Sequence, residues 1–175
     1  MAELEPHYAG VPRDELLARD RLPLHVVLDN IRSAFNVGSI FRTADAAGVA
    51  HLHLCGMTAH PPHIKLAKTA LGAFDYVPWT YYERTKDCIA ALKEQGITVA
   101  GIEVTPEAEL MHRVTWPQPV AVMFGHEVNG IHPDNLARCH KVVKIPMHGY
   151  KNSMNVATAA GVVLYAVTAQ WNVLD

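Results

Sequence analysis

Cysteine is scarce in this chain of 175 residues: Cys55, Cys88 and Cys139 are odd in number, far apart and never form a C-x-x-C. That excludes a disulfide scaffold and points to a reduced, cytoplasmic setting in which the thiols fill the core. Long apolar runs are also missing. The longest, Ala159 to Val167, has nine residues, far short of the roughly twenty that span a bilayer. The opening Met1-Ala2-Glu3-Leu4-Glu5-Pro6 is acidic and lacks an apolar stretch, so no secretory signal is expected. Charged residues make up only 18% of the chain, and the formal net charge is −2. A negative sign weighs against a nucleic-acid partner, because phosphate contacts need Lys and Arg.

Several phosphate and metal signatures are absent as well. No G-x-G-x-x-G follows an apolar run, so a standard dinucleotide fold has no support. Gly125-His-Glu-Val-Asn-Gly130 has the glycine spacing of a P-loop, but Ile131-His132 stands where Lys-Ser/Thr is required. His126-Glu127 begins like a zinc-protease H-E-x-x-H, yet Gly130 occupies the second histidine position. Of the eleven histidines, only His51/His53 and His60/His63 are closely spaced, and neither pair has a Cys or carboxylate to complete a site. No metal is expected, and these histidines are assigned to the surface or to an interface.

What remains is an ordinary globular composition, half of it hydrophobic, in a length that suits one domain. Five short apolar runs stand out: Leu24–Leu28, His51–Leu54, Thr98–Ile102, Val120–Phe124 and Val142–Ile145. They are nearly continuous, as strands buried on both faces of a parallel sheet are. Helical patterns separate them. One runs over Gly38–Ala47. A second covers Lys86–Gln95, with Thr85 as N-cap and Gly96 beyond its end. The last, Asn155–Trp171, aligns Val156, Ala160, Val163, Leu164, Val167 and Trp171 on one stripe. Alternating strands and helices predict an α/β fold with a parallel sheet. Residues 1–22 read as a short N-terminal arm, and 23–175 as the domain. The charge is unevenly spread. Residues 135 to 174 hold Arg138, Lys141, Lys144 and Lys151 without an acid, and 46 to 74 hold Lys65 and Lys68 without an acid. A local basic surface is therefore compatible with the net sign.

Three segments carry candidate chemistry. In the first, a strand ends in a polar loop with Asn36, then a helix carries Arg42 beside small Ser39 and Ala46. In the second, an apolar strand runs into Gly125, where backbone can approach a ligand, with Glu127 just beyond. In the third, Ile145-Pro146-Met147 leads through a glycine loop to Ser153 and Asn155 at the start of the last helix. Each has an ordinary structural reading too: Arg42 as a surface charge, Glu127 as a helix-start carboxylate, Ser153 or Asn155 as an N-cap.

Taken together, the segments resemble the three motifs of the SpoU family, within the knotted SPOUT superfamily of methyltransferases. The first corresponds as Asn36-x-Gly38-x-Ile40-x-Arg42 ending in Gly48. The second corresponds as Phe124-Gly125-x-Glu127-x-x-Gly130, and the third as Ile145-Pro146-Met147 followed by Ser153-x-Asn155-Val156. The resemblance covers roughly residues 24 to 171. Met154 stands where the family often has Leu, and no counterpart of the extra N-terminal RNA-binding domain of many relatives is expected in these residues.

The resemblance implies a SPOUT fold with a deep trefoil knot from about Val120 to the last helix. It implies transfer of a methyl group from S-adenosyl-L-methionine to a ribose 2′-hydroxyl of tRNA or rRNA. The donor is expected near Ile102, Glu103, Gly125, Ile145 and Met154. Arg42 is expected to act on the hydroxyl, as base or as charge stabiliser; Asn36, Glu127, Ser153 and Asn155 are expected to position the reactants. A homodimer whose active site draws on both chains is implied, with Trp171 and the last-helix stripe as candidate interface. Two alternatives stand beside this: a base-methylating knotted relative, disfavoured by the Asn36/Arg42 pair, and an RNA-binding protein without catalysis, disfavoured by the intact motifs. An unrelated nucleotide-binding α/β domain is disfavoured by the missing phosphate motifs.

Overall fold

The computed structural model describes residues 12–173. Residues 1–11 of the expected arm lie outside the described residues; the rest of the arm holds one short helix, α1 (Arg13–Ala18). The elements then follow as β1 (Leu22–Asp29), α2 (Ala34–Ala46), β2 (Val49–Cys55), α3 (Ile64–Ala70), β3 (Trp79–Tyr82), α4 (Thr85–Glu94) and β4 (Thr98–Ile102). The second half adds β5 (Glu109–Leu110), β6 (Val120–Phe124), α5 (Pro133–Leu136), β7 (Lys141–Lys144) and α6 (Val156–Gln170). All seven strands form one sheet in the order β3-β2-β1-β6-β4-β7-β5, and every pairing is parallel.

Both faces of the central strands are covered, which is why they read as continuous apolar runs. Leu24, Val26 and Leu28 of β1 and Val120, Val122 and Phe124 of β6 pack under α2, α3 and α6. Val27 of β1, Ala121 and Met123 of β6 and Cys55 of β2 pack under Cys88, Ile89 and Leu92 of α4. The two missed strands have physical reasons. β3 is an edge strand whose residues are all partly or fully exposed, and β5 has two residues. Neither offers the buried run that marks the others.

Three expectations need correction. The first helix begins at Ala34 and not at Gly38, with Ser33 as its cap. Gly38 lies inside the helix, where an added Cβ would sit 2.8 Å from the Leu66 carbonyl of α3. Thr85 does not cap α4; its hydroxyl donates to buried Asp29 at 2.5 Å. Finally, the paired histidines are not uniformly superficial. His60 and His63 are exposed, but His53 is buried and packs with half-buried His25 and His51 between β1 and β2. His53 and His25 share a contact of 3.2 Å between ring nitrogens. Burial, then the neighbouring His51, pushes His25 down to about 4. Burial, then His51 and His25, pushes His53 down to about 3. Among the described residues no group of three or more His, Cys, Asp or Glu is placed to hold a metal ion, and all three cysteines are free.

Candidate active site

Because every strand is parallel, the loops that follow β1, β4, β6 and β7 emerge at one edge of the sheet. The strand order places β1, β6, β4 and β7 side by side, and ligands of open α/β sheets bind at such carboxyl ends. A cavity of about 370 Å³ opens there, the size of a small-molecule site. Ile102 and Glu103 close one side, Gly125 and Glu127 another, Ile145 and Met147 a third. Ser153, Met154 and Asn155 complete the rim ahead of α6.

Glu127 is the organising group. Its carboxylate accepts from the Arg32 N–H at 2.8 Å, the Ser33 N–H at 3.0 Å and the Asn36 Nδ2 at 2.8 Å. The loop after β6 is thereby tied to the loop after β1. Partial burial tends to raise the Glu127 pKa, but the hydrogen bonds from Arg32, Asn36, its own backbone and Ser33 outweigh it and hold the carboxyl below the usual range. The chain of bonds continues: Asn155 Nδ2 donates to Asn36 Oδ1 at 3.1 Å. Asn155 Oδ1 accepts from the Ala157 and Thr158 N–H groups at 2.9 and 3.3 Å, capping α6. Asn155 is thus both an N-cap and a site residue. One network spans all three motifs, which places Glu127 beside Asn36 and not beside Arg42.

Sequence reasoning missed two supports. Glu103 was expected only as a neighbour of the donor, but its side chain accepts from Ile131 N–H at 2.8 Å and Val104 N–H at 2.9 Å, fastening the 126–131 loop to the end of β4. A lone acid directly after a buried strand was the available signal. The other is the β1–α2 loop, where Ile31 N–H donates to Thr58 Oγ1 at 2.9 Å and Met57 N–H to Asn30 Oδ1 at 3.1 Å.

The reason for Gly125 also changes. An added Cβ would collide with the Gly130 and Ile131 backbone, because the 126–130 loop folds back through paired His126–Gly130 hydrogen bonds of 3.1 and 2.8 Å. Loop closure demands glycine here before any ligand does.

Arg42 lies elsewhere. It lines a second surface depression with Ser39, Thr43, Ala46 and Tyr165, and shares no lining residue with the cavity. With α2 starting at Ala34, Arg42 is two turns in and not one. It lies six positions beyond Asn36, roughly 9 Å along the axis and about 240° around it. Arg42 is exposed and makes no hydrogen bond or ion pair among the described residues. The expected interface is corrected too. Val163, Leu164 and Val167 of α6 are buried in the core, and Trp171 Nε1 donates to the Trp116 carbonyl at 3.1 Å. The outward face of α6 instead offers Val162 and Tyr165, 38% and 43% exposed.

A family model described as the SpoU rRNA Methylase family matches residues 23–165. The chain belongs to this family. Similar SpoU relatives include a tRNA (guanosine(18)-2′-O)-methyltransferase of Thermus thermophilus, 32% identical over 90% of this chain and 80% of that protein. A 23S rRNA (guanosine-2′-O-)-methyltransferase, RlmB, of Vibrio parahaemolyticus is 32% identical over 90% of this chain and 63% of its own length. Among solved structures, the SpoU methyltransferase AviRb of Streptomyces viridochromogenes, in complex with AdoMet, superposes with a TM-score of 0.79. It is 25% identical over 92% of this chain and 62% of that one.

Proposed function

We propose that this chain transfers a methyl group from S-adenosyl-L-methionine to a ribose 2′-hydroxyl of tRNA or rRNA, as a cytoplasmic homodimer. The observation that carries this is the Glu127–Asn36–Asn155 network at the rim of a cavity of nucleoside size. The domain is residues 23–175, preceded by an arm, and its C-terminal half from about Val120 is knotted, as the family resemblance implies. The lining fits the donor: apolar Ile102, Ile145 and Val156 suit an adenine ring, and Glu103, Asn152 and Ser153 offer polar groups for ribose and amino acid. Bound there, S-adenosyl-L-methionine supplies an activated methyl group.

The protein's task is to hold the hydroxyl in line and to favour its developing negative charge. Asn36 and Asn155 are fixed by Glu127 and by the α6 N-terminus, so their orientation is set before substrate arrives. Arg42 serves the hydroxyl by charge, its forked donors suited to a developing alkoxide or to the neighbouring phosphate. Its separation from the cavity in one chain supports a homodimer in which the α2 and α6 surfaces meet and Arg42 of each chain serves the cavity of the other. Labelled methyl transfer to tRNA and ribosomal RNA transcripts, followed by alkaline hydrolysis, tests the reaction. The expected product resists cleavage at the labelled nucleotide, because a 2′-O-methyl group blocks attack on the adjacent phosphodiester. Label recovered in alkali-sensitive nucleotides would assign base methylation instead. Absence of transfer despite donor binding would assign an RNA-binding role.

A further inference from the structure

Three rings gather at the β3 edge of the sheet, outside the site described above. His60 lies 4.6 Å from Tyr81 between ring centroids, and 6.2 Å from Trp79 with planes only 23° apart. Trp79 and Tyr81 are two residues apart on β3, so both rings rise from one face. Their register partners are Leu52 and Leu54. Trp79 is half-buried against the core. His60 and Tyr81 face solvent, Tyr81 at 39% exposure. The Tyr81 hydroxyl donates to the Gly56 carbonyl at 3.0 Å, so the ring is already fixed and little order remains to be imposed on binding.

Two further observations point to the occupant. The first is charge. Exposed Lys65 and Lys68 lie on α3, and no Asp or Glu occurs between Asp45 and Asp75. The second is continuity with the active-site edge. Gly56, held by Tyr81, precedes Met57, whose N–H donates to Asn30. Two residues on, the Arg32 N–H donates to Glu127. The rings and the Glu127 carboxylate thus flank one loop.

We propose that His60 and Tyr81 form a stacking platform for an unpaired nucleobase of the substrate RNA, with Lys65 and Lys68 against the flanking phosphates. This rests on the RNA methyltransferase reading above. Aromatic faces beside cations are how proteins hold single-stranded RNA, and stacking tolerates any base. Such a platform positions the strand and leaves the choice of nucleotide to other contacts.

Two readouts test it: binding of a short single-stranded RNA carrying 2-aminopurine, and KM for tRNA and ribosomal RNA transcripts. His60→Ala and Tyr81→Ala should each weaken RNA binding at least about fivefold and relieve 2-aminopurine quenching. The loss should appear in KM for RNA and not in affinity for S-adenosylmethionine. His60→Phe and Tyr81→Phe, which keep a ring, should restore RNA binding. Alanine variants that bind RNA like wild type overturn the platform while leaving the methyl-transfer reading intact. So does a Tyr81→Phe variant as weak as Tyr81→Ala, since the Gly56 bond would then be the cause. Wild-type protein that methylates no RNA overturns both.

Discussion

Around the cavity, Glu103, Glu127, Asn36 and Asn155 commit their polar atoms to backbone groups and to one another. Around Arg42, an exposed guanidinium lies among Ser39, Ala46 and Tyr165 with no polar partner among the described residues. The two regions are joined by one helix, α2, whose first turn enters the network and whose third turn bears the arginine. The contrast separates two tasks. A prearranged hydrogen-bonded rim suits binding of a small ligand, whereas an exposed guanidinium leaves its donors open to an outside charge.

Breaking each side should give different losses. Arg42→Ala should bind S-adenosylmethionine nearly normally yet lose at least about a hundredfold in transfer, the scale of a lost charge-stabilising or proton-transfer partner. Single-turnover rates at saturating RNA measure this, and a rate within a few fold of wild type would reduce Arg42 to a surface charge. Arg42→Lys should stay poor, because an ammonium lacks the forked donors. On the cavity side, Gly125→Val should abolish donor binding by calorimetry and also destabilise the fold by about 1–3 kcal/mol, the range for overpacking. Unchanged stability would mean that the 126–130 loop tolerates a side chain and that Gly125 serves the ligand alone. Glu127→Gln should be milder, about tenfold in turnover, because one acceptor oxygen becomes a donor facing donors. If turnover is unchanged, the network does not orient the site.

A separate effect concerns acid stability, away from both regions. His25 and His53 are held neutral, with pKa values lowered from 6.5 to about 4 and about 3. Below pH 6.5 the unfolded chain therefore binds more protons than the folded one, and stability falls as pH drops toward 4. It is fully present above 6.5. Thermal melts should show this decline and a flatter one in His53→Leu; equal slopes would remove the histidines as its cause.

Much of this was legible in the sequence, for identifiable reasons. β4 and β6 were read with their observed bounds, because strands covered on both faces leave unbroken Val, Ile and Leu runs. The cavity-lining residues follow strand ends, so motif positions located them. The position of Arg42 relative to them was not legible. Placing the helix start at Gly38 put Arg42 one turn in, and only Ser33 acting as cap shows that it is two. The histidine cluster was hidden because His25 and His51 come together through strand register, with 25 residues between them in the chain. The α6 stripe looked like an interface because buried and interfacial apolar faces share one pattern, and only the packing against β1 and β6 tells them apart.

The claim that the two regions are halves of one active site is tested most directly by a mixed dimer. Arg42→Ala and Gly125→Val chains, each inactive alone, are co-expressed with different tags and the heterodimer is purified. One of its two sites then combines an intact cavity from the first chain with Arg42 from the second, so about half of wild-type methyl transfer should return. A heterodimer no more active than the two variants measured separately would contradict the shared site and confine each active site to one chain.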